Sequence, residues 1–144
     1  MPDSVLNSVF RPKPVFESEH YIIEADGERS FARVLWKQKI TDEELRQGAL
    51  KLHLFLLESK LENLLSNSQG LASLSPATKN WLADQYYETL MLTSIRRLAR
   101  VMPSNLFHQI ALESVIARAA AKKNLSFAVR SFSKEEEALR WLQS

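Results

Sequence analysis

The sequence predicts a single α/β domain with a mostly parallel sheet, and three observations lead to that fold class. Short β-forming runs alternate with longer amphipathic segments, in the order β-β-α-β-α-β-α-β-α. Such alternation implies right-handed crossovers and parallel pairing, with the first strand antiparallel at one edge. The chain has 144 residues, of which 45% are hydrophobic, so it can bury one sizeable core. We therefore expect five strands and four helices.

Composition narrows the class of protein before any motif is considered. The sequence has no cysteine, so disulfides and thiolate metal sites are excluded. The formal net charge of +2 is spread along the chain, which argues against a nucleic-acid partner. No apolar run approaches the roughly 20 residues of a membrane-spanning helix, and the N-terminus lacks a signal-peptide layout. We expect a cytoplasmic protein without a transmembrane segment.

The first 18 residues are predicted to be an N-terminal arm, and residues 19–144 to be the domain. Three prolines stand among small polar residues in this arm, and prolines so placed disfavour a helix. Two interpretations stay open. The arm is either disordered, or it lies on a neighbouring subunit through its apolar residues Val9, Phe10 and Phe16.

The segment from His20 to Ile40 predicts a β-hairpin, because two β-forming runs flank the turn dipeptide Asp26-Gly27. The first helix then begins at Thr41, whose hydroxyl and the Glu44 carboxylate form a capping-box pattern. One face of this helix is apolar at helical spacing and is predicted to be buried: Leu45, Ala49, Leu52 and Leu56.

Three strand and helix pairs are predicted to follow. The strands are expected around residues 61–65, 95–102 and 125–132. The intervening helices begin at Ser75, with Pro76 in the first turn, and at Ser104 or Asn105. The inward face of the second of these is predicted to comprise Phe107, Ile110, Ala111, Val115 and Ala119. The last helix begins with a second capping-box pattern over residues 133–136.

A run of turn-forming polar residues after the third predicted strand is the first candidate site. Ser66, Asn67 and Ser68 supply hydroxyl and amide groups there, and Ser75 caps the helix that follows. In open α/β sheets, ligands bind at the carboxyl ends of the strands, where this loop is expected. The same side chains can also do no more than satisfy the backbone of a turn.

Three arginines near the later strands form the second candidate site. Arg100 falls inside a strand that should be covered on both faces, so it needs a carboxylate or an anion as a partner. Together with Arg97 and Arg130, it suggests an anion pocket to which helix N-termini at Ser75 and Ser104 add amide donors. A structural ion pair is the simpler interpretation of Arg100.

From about His20 onward, the chain resembles the STAS-like proteins of the SpoIIAA-like branch, small bacterial domains related to anti-sigma factor antagonists. The resemblance rests on three stretches in order: LENLLSNSQGLASLSPATKNWL, IRRLARVMPSNLF and VRSFSKEEEALRWLQS. It implies a βα superhelix and a regulatory or protein-interaction role. In the antagonists an Asp-Ser pair follows the third strand, and the serine is phosphorylated. Here Ser66 stands where that branch tends to have the aspartate, Ser68 lies two residues on, and no Asp-Ser pair exists.

No constellation of residues in the sequence predicts catalysis, a metal or a cofactor. The three histidines are scattered, and no Gly-rich phosphate loop or nucleophile motif occurs. The first function hypothesis is therefore a regulatory module that docks a protein partner or a second copy of itself. The alternative is a small-ligand or lipid-binding protein, in which apolar residues of the second and third helices part to admit an acyl chain: Leu90, Met91, Leu92, Phe107 and Ile110.

Overall fold

The computed structural model describes residues 10–71, 74–122 and 124–144. Within them the chain forms one sheet of six strands: β1 (Lys13–Glu17), β2 (Tyr21–Asp26), β3 (Phe31–Trp36), β4 (Asn63–Asn67), β5 (Arg97–Val101) and β6 (Ala128–Phe132). Four helical segments accompany it. They are α1 (Asp42–Ser59), a continuous segment of α2 (Pro76–Trp81), a π-helical turn (Leu82–Tyr86) and α3 (Tyr87–Leu90), then α4 (Leu106–Lys122) and α5 (Glu135–Gln143).

The strands lie side by side in the order in which they occur in the chain. β1, β2 and β3 pair antiparallel, whereas β3 to β6 pair parallel. The predicted α/β class with an antiparallel edge is therefore confirmed. The predicted count of five strands is wrong, because β1 forms within the segment that was expected to be an arm.

Helices cover both faces of the sheet, as expected for the strand that carries Arg100. The six-strand mixed sheet differs from the superhelix that the resemblance implies. One face, here called the cavity face, presents Val34, Leu64 and Leu98 to a core shared with α1, α2 and α3. The opposite face, here called the α5 face, packs Leu65 and Ala99 against Ala138 and Leu142 of α5, among other residues. The final helix thus crosses to the other side of the sheet because its apolar stripe matches that second cluster.

Local sequence signals account for most helix starts. Thr41 accepts a hydrogen bond from Glu44 N while the Glu44 carboxylate accepts from Thr41 N, so the first predicted capping box is confirmed. Ser75 caps α2, and Asn105 Oδ1 accepts from His108 N at 3.1 Å in the first turn of α4. The second predicted box is wrong. The N-cap of α5 is Lys134, which makes no side-chain capping bond.

Residues 10–17 of the predicted arm lie on this chain's own sheet. The Phe10 ring stacks on Phe31 with 4.1 Å between ring centroids, and β1 pairs with β2. Arg11 N also donates to Asp26 Oδ2 at 2.8 Å, which ties the segment to the end of β2. Val9 lies outside the described residues.

The predicted buried face of α1 is confirmed, whereas that of α4 is only partly correct. Leu45, Ala49, Leu52 and Leu56 are all at most 4% exposed. In α4, however, Phe107 is 80% exposed and Ile110 is 57% exposed. The buried side chains of that helix begin one turn later, at Leu112. The inward-facing assignment of Phe107 and Ile110 was therefore wrong.

Candidate functional site

A cavity of about 70 Å³ lies between the cavity face of the sheet and the helices that cover it. We call it the central cavity. It is lined by sixteen residues from three strands, the loops after β4, and the helices: Trp36, Leu45, Ala49, Leu52, Leu64, Ser66, Ser68, Leu71, Leu74, Leu82, Tyr86, Tyr87, Leu90, Leu98, Arg100 and Leu112. Most of these side chains are apolar, and the polar region of the lining consists mainly of Ser66, Ser68 and Arg100.

The floor of the central cavity comes from alternate residues of β4 and β5. Side chains two apart in a strand point to the same face, which brings Leu64 and Ser66 to the cavity beside Leu98 and Arg100. Ser66 and Arg100 are partners in the parallel register. The polar region therefore lies toward the carboxyl ends of the parallel strands, where α/β sheets bind ligands.

The walls come from α1 and from the segment that contains the π-helical turn. Leu82 and Tyr86 of that turn both line the central cavity. The Tyr86 hydroxyl donates to Ala49 O of α1 at 3.0 Å, and burial raises the pKa of this phenol. Leu74, Leu82 and Tyr87 are only half buried, so the cavity is partly open to solvent on this side.

Arg100 is the only charged side chain among the lining residues, and it is 5% exposed. Its Nη2 donates to Leu112 O at 2.6 Å, which ties the guanidinium to α4. Its Nη1 lies 3.5 Å from Glu113 Oε1, so the expected carboxylate partner is present. That atom nevertheless makes no hydrogen bond within the described part of the chain. Glu113 Oε1 is instead the acceptor of a short hydrogen bond from Ser131 Oγ.

The predicted serine loop is wrong for Ser66 and Asn67, because both residues lie in β4. Ser66 Oγ accepts from Trp36 Nε1 at 3.1 Å, and the Ser68 side chain is 9% exposed in the cavity wall. Asn67 is also buried, but it lies on the α5 face. Ser75 is at the start of α2, where its Oγ accepts from Thr78 N at 3.2 Å.

The three arginines of the predicted anion pocket do not converge. Strand alternation places Arg100 on the cavity face but Arg97 and Arg130 on the α5 face. Arg97 Nη1 donates to the carbonyl oxygens of Trp141 and Ser144, at 2.8 and 2.7 Å. The Arg130 guanidinium lies over the ring of Trp141, 5.7 Å from its centroid. The prediction of a shared pocket is therefore wrong, and Arg100 alone faces a cavity.

A polar network on the α5 face is structural in character. Arg33 forms a two-point contact with Glu135 at 2.9 and 3.0 Å and reaches Glu24 at 3.0 Å. Asn67 Nδ2 donates to the same Glu135 carboxylate. Each charge here has a partner, so the network fixes the start of α5 on the sheet. Sequence analysis missed it because its members are far apart in the chain.

Three other features of the described residues bear on function: possible metal sites, the histidine pairs, and helices that could span a membrane. Among them, no three His, Cys, Asp or Glu side chains are grouped so that they could hold a metal ion. His20 pairs with Glu44 at the start of α1, whereas His53 is buried on that helix. None of the helices in the described part of the chain is both long enough and apolar enough to cross a membrane.

Sequence analysis identified Arg100, Ser66 and Ser68 as candidate site residues. It missed Trp36, Tyr86 and Leu112, which also line the central cavity. An arginine within an apolar strand is a visible signal. The aromatic and leucine positions carry no such signal, because a cavity wall and a packed core use the same side chains. Comparisons with protein-family models, with curated proteins and with solved structures gave no match.

Proposed function

We propose that this chain is a non-catalytic binding module of the STAS-like, SpoIIAA-like class that holds a small ligand in the central cavity. The observation that carries the proposal is a partly open apolar cavity with a buried arginine on its floor. Binding sites of this kind combine an apolar lining with a few polar groups that orient the ligand. A cytoplasmic location and a regulatory role belong to the same proposal.

The polar lining argues against a simple packing void. Cavities that stay empty are apolar, whereas a cavity with polar lining groups holds water or a ligand. Here Ser66, Ser68 and Arg100 contribute to one cavity together with the leucines. Burying a guanidinium without complete hydrogen bonding is costly, and a core without a ligand gains nothing from it.

The π-helical turn supports the same site. Turns of this type are rare, are frequently found at functional sites, and insert an extra residue into a helix. The turn in this chain covers Leu82–Tyr86, and two of its residues face the central cavity. It thereby places Leu82 and Tyr86 on the cavity wall without ending the helical segment.

A cavity-filling variant tests the proposal. Ala49 lines the central cavity and is 2% exposed, so Ala49→Leu would occupy part of its volume. We expect saturation-transfer NMR to find small apolar fragments that bind the full chain and are lost in Ala49→Leu. Ala117→Leu, at an exposed position of α4, is the control. Absence of any bound fragment, or equal binding to Ala49→Leu, would contradict the proposal.

The regulatory role proposed from the resemblance involves the same cavity. Ser68 lines it and is 9% exposed, so a phosphate there would introduce about −1.5 to −2 charges into the cavity wall. We expect Ser68→Asp to weaken fragment binding, because its carboxylate would lie in a wall that also carries Arg100. Unchanged binding to Ser68→Asp would count against a switch at this serine.

Self-association through α1 is a second candidate function, and an exposed leucine stripe favours it. Leu50, Leu54 and Leu57 are 49%, 64% and 39% exposed, at spacings of four and three residues. That spacing matches one heptad of the seam in a two-helix coiled coil. Lys51 and Glu58 flank the seam seven residues apart, so an antiparallel second copy would bring Lys51 of one chain opposite Glu58 of the other.

Light scattering on the full chain tests this second candidate. We expect a dimer that Leu54→Glu converts to a monomer, since it would bury a carboxylate in the seam. Leu92→Glu is the matched control, because Leu92 is 74% exposed and lies outside α1. A monomeric chain at all concentrations, or equal dissociation by both variants, would contradict the candidate.

A further inference from the structure

We infer that the ligand of the central cavity is a short-chain carboxylate whose head group binds the Arg100 guanidinium and whose tail fills the leucine-lined region. This inference rests on the proposed function and specifies its ligand class. Three features of the described residues carry it: the incomplete hydrogen bonding of Arg100, the position of Ser66, and the size of the cavity.

The guanidinium of Arg100 is held in place but incompletely partnered. Leu112 O accepts from Nη2 at 2.6 Å, whereas Nη1 is buried and makes no hydrogen bond within the described residues. Glu113 compensates the charge only in part. Its side chain is 52% exposed, it lies 3.5 Å away, and its nearest oxygen also accepts from Ser131 Oγ. A buried cation of this kind favours a carboxylate, which arginine recognises through directed N–H bonds.

Ser66 provides a second donor for the same head group. It is the register partner of Arg100, so both side chains project from neighbouring strands into the central cavity. Ser66 Oγ already accepts from Trp36 Nε1, which leaves the hydroxyl proton to donate. A carboxylate between the two strands would receive one hydrogen bond from each. Inorganic phosphate is disfavoured because the remaining lining is mostly apolar.

The size of the central cavity limits the tail. The cavity volume of about 70 Å³ is far below the roughly 300–1,000 Å³ of pockets that bury drug-sized ligands, so only a short tail fits. Propionate and butyrate fit this limit, whereas a long acyl chain does not. The lipid-binding alternative would require the helices to move apart, and native mass spectrometry that retained a lipid on the full chain would overturn the size limit.

Calorimetric titration of the full chain with butyrate and with its neutral isostere butyramide tests the inference. We expect butyrate to bind at least about tenfold more tightly, because only the acid satisfies the buried charge. Arg100→Gln should remove that preference, while Arg97→Gln on the α5 face should leave it unchanged. We expect inorganic phosphate not to displace butyrate, and displacement by phosphate would overturn the inference.

The remaining outcomes separate this inference from the proposed function. Equal affinity for butyrate and butyramide would overturn the carboxylate assignment but leave the binding module intact. If neither compound nor any neutral fragment bound, both would fail. Should Arg100→Gln fail to fold, Ser66→Ala is a milder variant. We expect Ser66→Ala to weaken butyrate binding severalfold without changing butyramide binding. An equal effect on both compounds would contradict the role of Ser66 in the head-group site.

Discussion

Gly48 shows how a single residue lets α1 approach the sheet. A Cβ atom at this position would lie 2.8 Å from Trp36 Cζ3 and 2.9 Å from Tyr21 Cε1. Alanine normally improves a helix interior by about 1 kcal/mol over glycine. Here the overpacking cost, typically about 1–3 kcal/mol, is expected to exceed that gain.

We therefore predict that Gly48→Ala lowers the free energy of unfolding by up to about 2 kcal/mol, measured by urea denaturation. The matched control is Gly70→Ala, where a Cβ atom would meet nothing closer than Trp36 O at 3.5 Å. A gain in stability for Gly48→Ala would contradict the close approach of α1 to these two rings.

The burial of His53 leads us to predict that the stability of the protein depends on pH. It is buried on α1, and burial lowers the pKa of its imidazole below the ordinary value of 6.5. The unfolded chain therefore binds the proton more readily than the folded chain, so stability should fall as the pH drops below about 6.5. Its Nδ1 is buried and makes no hydrogen bond within the described residues, so no bond at this atom offsets the effect.

Urea denaturation between pH 7.5 and pH 5 checks this expectation. We predict that His53→Gln flattens the decline in the free energy of unfolding relative to the parent chain. His108→Gln, on the half-buried first turns of α4, should leave the decline unchanged. An identical pH profile for His53→Gln and the parent would show that another group is responsible.

At the scale of the elements, the N-terminus of α5 lacks a side-chain cap, so a capping residue there should stabilise the helix. Lys134 is the N-cap and makes no side-chain hydrogen bond to the first turn. Serine at an N-cap typically stabilises a helix by about 1 kcal/mol relative to a residue that cannot cap. We predict that Lys134→Ser raises the free energy of unfolding by about 0.5–1 kcal/mol. Lys134→Ala removes the same charge without adding a cap, so a similar gain there would rule out capping as the cause.

The outcome at the two capping boxes shows what sequence alone can predict. The box at Thr41 forms because the two side chains and the amides they bind lie within one turn. The box expected over residues 133–136 does not form, and α5 begins one residue later than expected. Glu135 binds Arg33 and Asn67 across the sheet, and that tertiary contact accompanies the different start. Local signals are therefore reliable only where no distant partner competes for the same segment.

The residues of the central cavity could be predicted from the sequence only in part. Arg100 was recognisable because a charge within an apolar strand needs a partner. Ser66 was also named from the sequence, but as part of a loop. Its place beside Arg100 depends on the register of β4 against β5, which is set by the whole sheet. The arginine pocket failed for a related reason: Arg97, Arg100 and Arg130 are close in the sheet, but strand alternation separates them by face.

At the scale of the whole molecule, the N-terminal segment is predicted to be needed for stability. A chain starting at His20 would lose β1, the stacking of Phe10 on Phe31, and the bond from Arg11 N to Asp26. We expect the free energy of unfolding of this shortened chain to be lower by at least about 3 kcal/mol, measured by urea denaturation. Removal of a buried phenylalanine side chain alone costs that much. A chain starting at residue 9 keeps all three contacts and is the control. Equal stability of the two shortened chains would contradict the packing of this segment.

The proposed dimer can be tested through its charges. In an antiparallel pairing of α1 with its copy, Lys51 of one chain lies opposite Glu58 of the other. Lys51→Glu and Glu58→Lys each place like charges opposite one another at both ends of the seam, so each is expected to shift the dimer toward monomer. Lys51→Glu also removes the ammonium that lies 3.7 Å from the centre of the Phe16 ring, which alone could weaken the protein. The double variant loses that contact too but restores opposite charges, so recovery of the dimer in light scattering isolates the intermolecular pair. If the double variant stays monomeric while either single variant dimerises, the two helices do not meet in this arrangement.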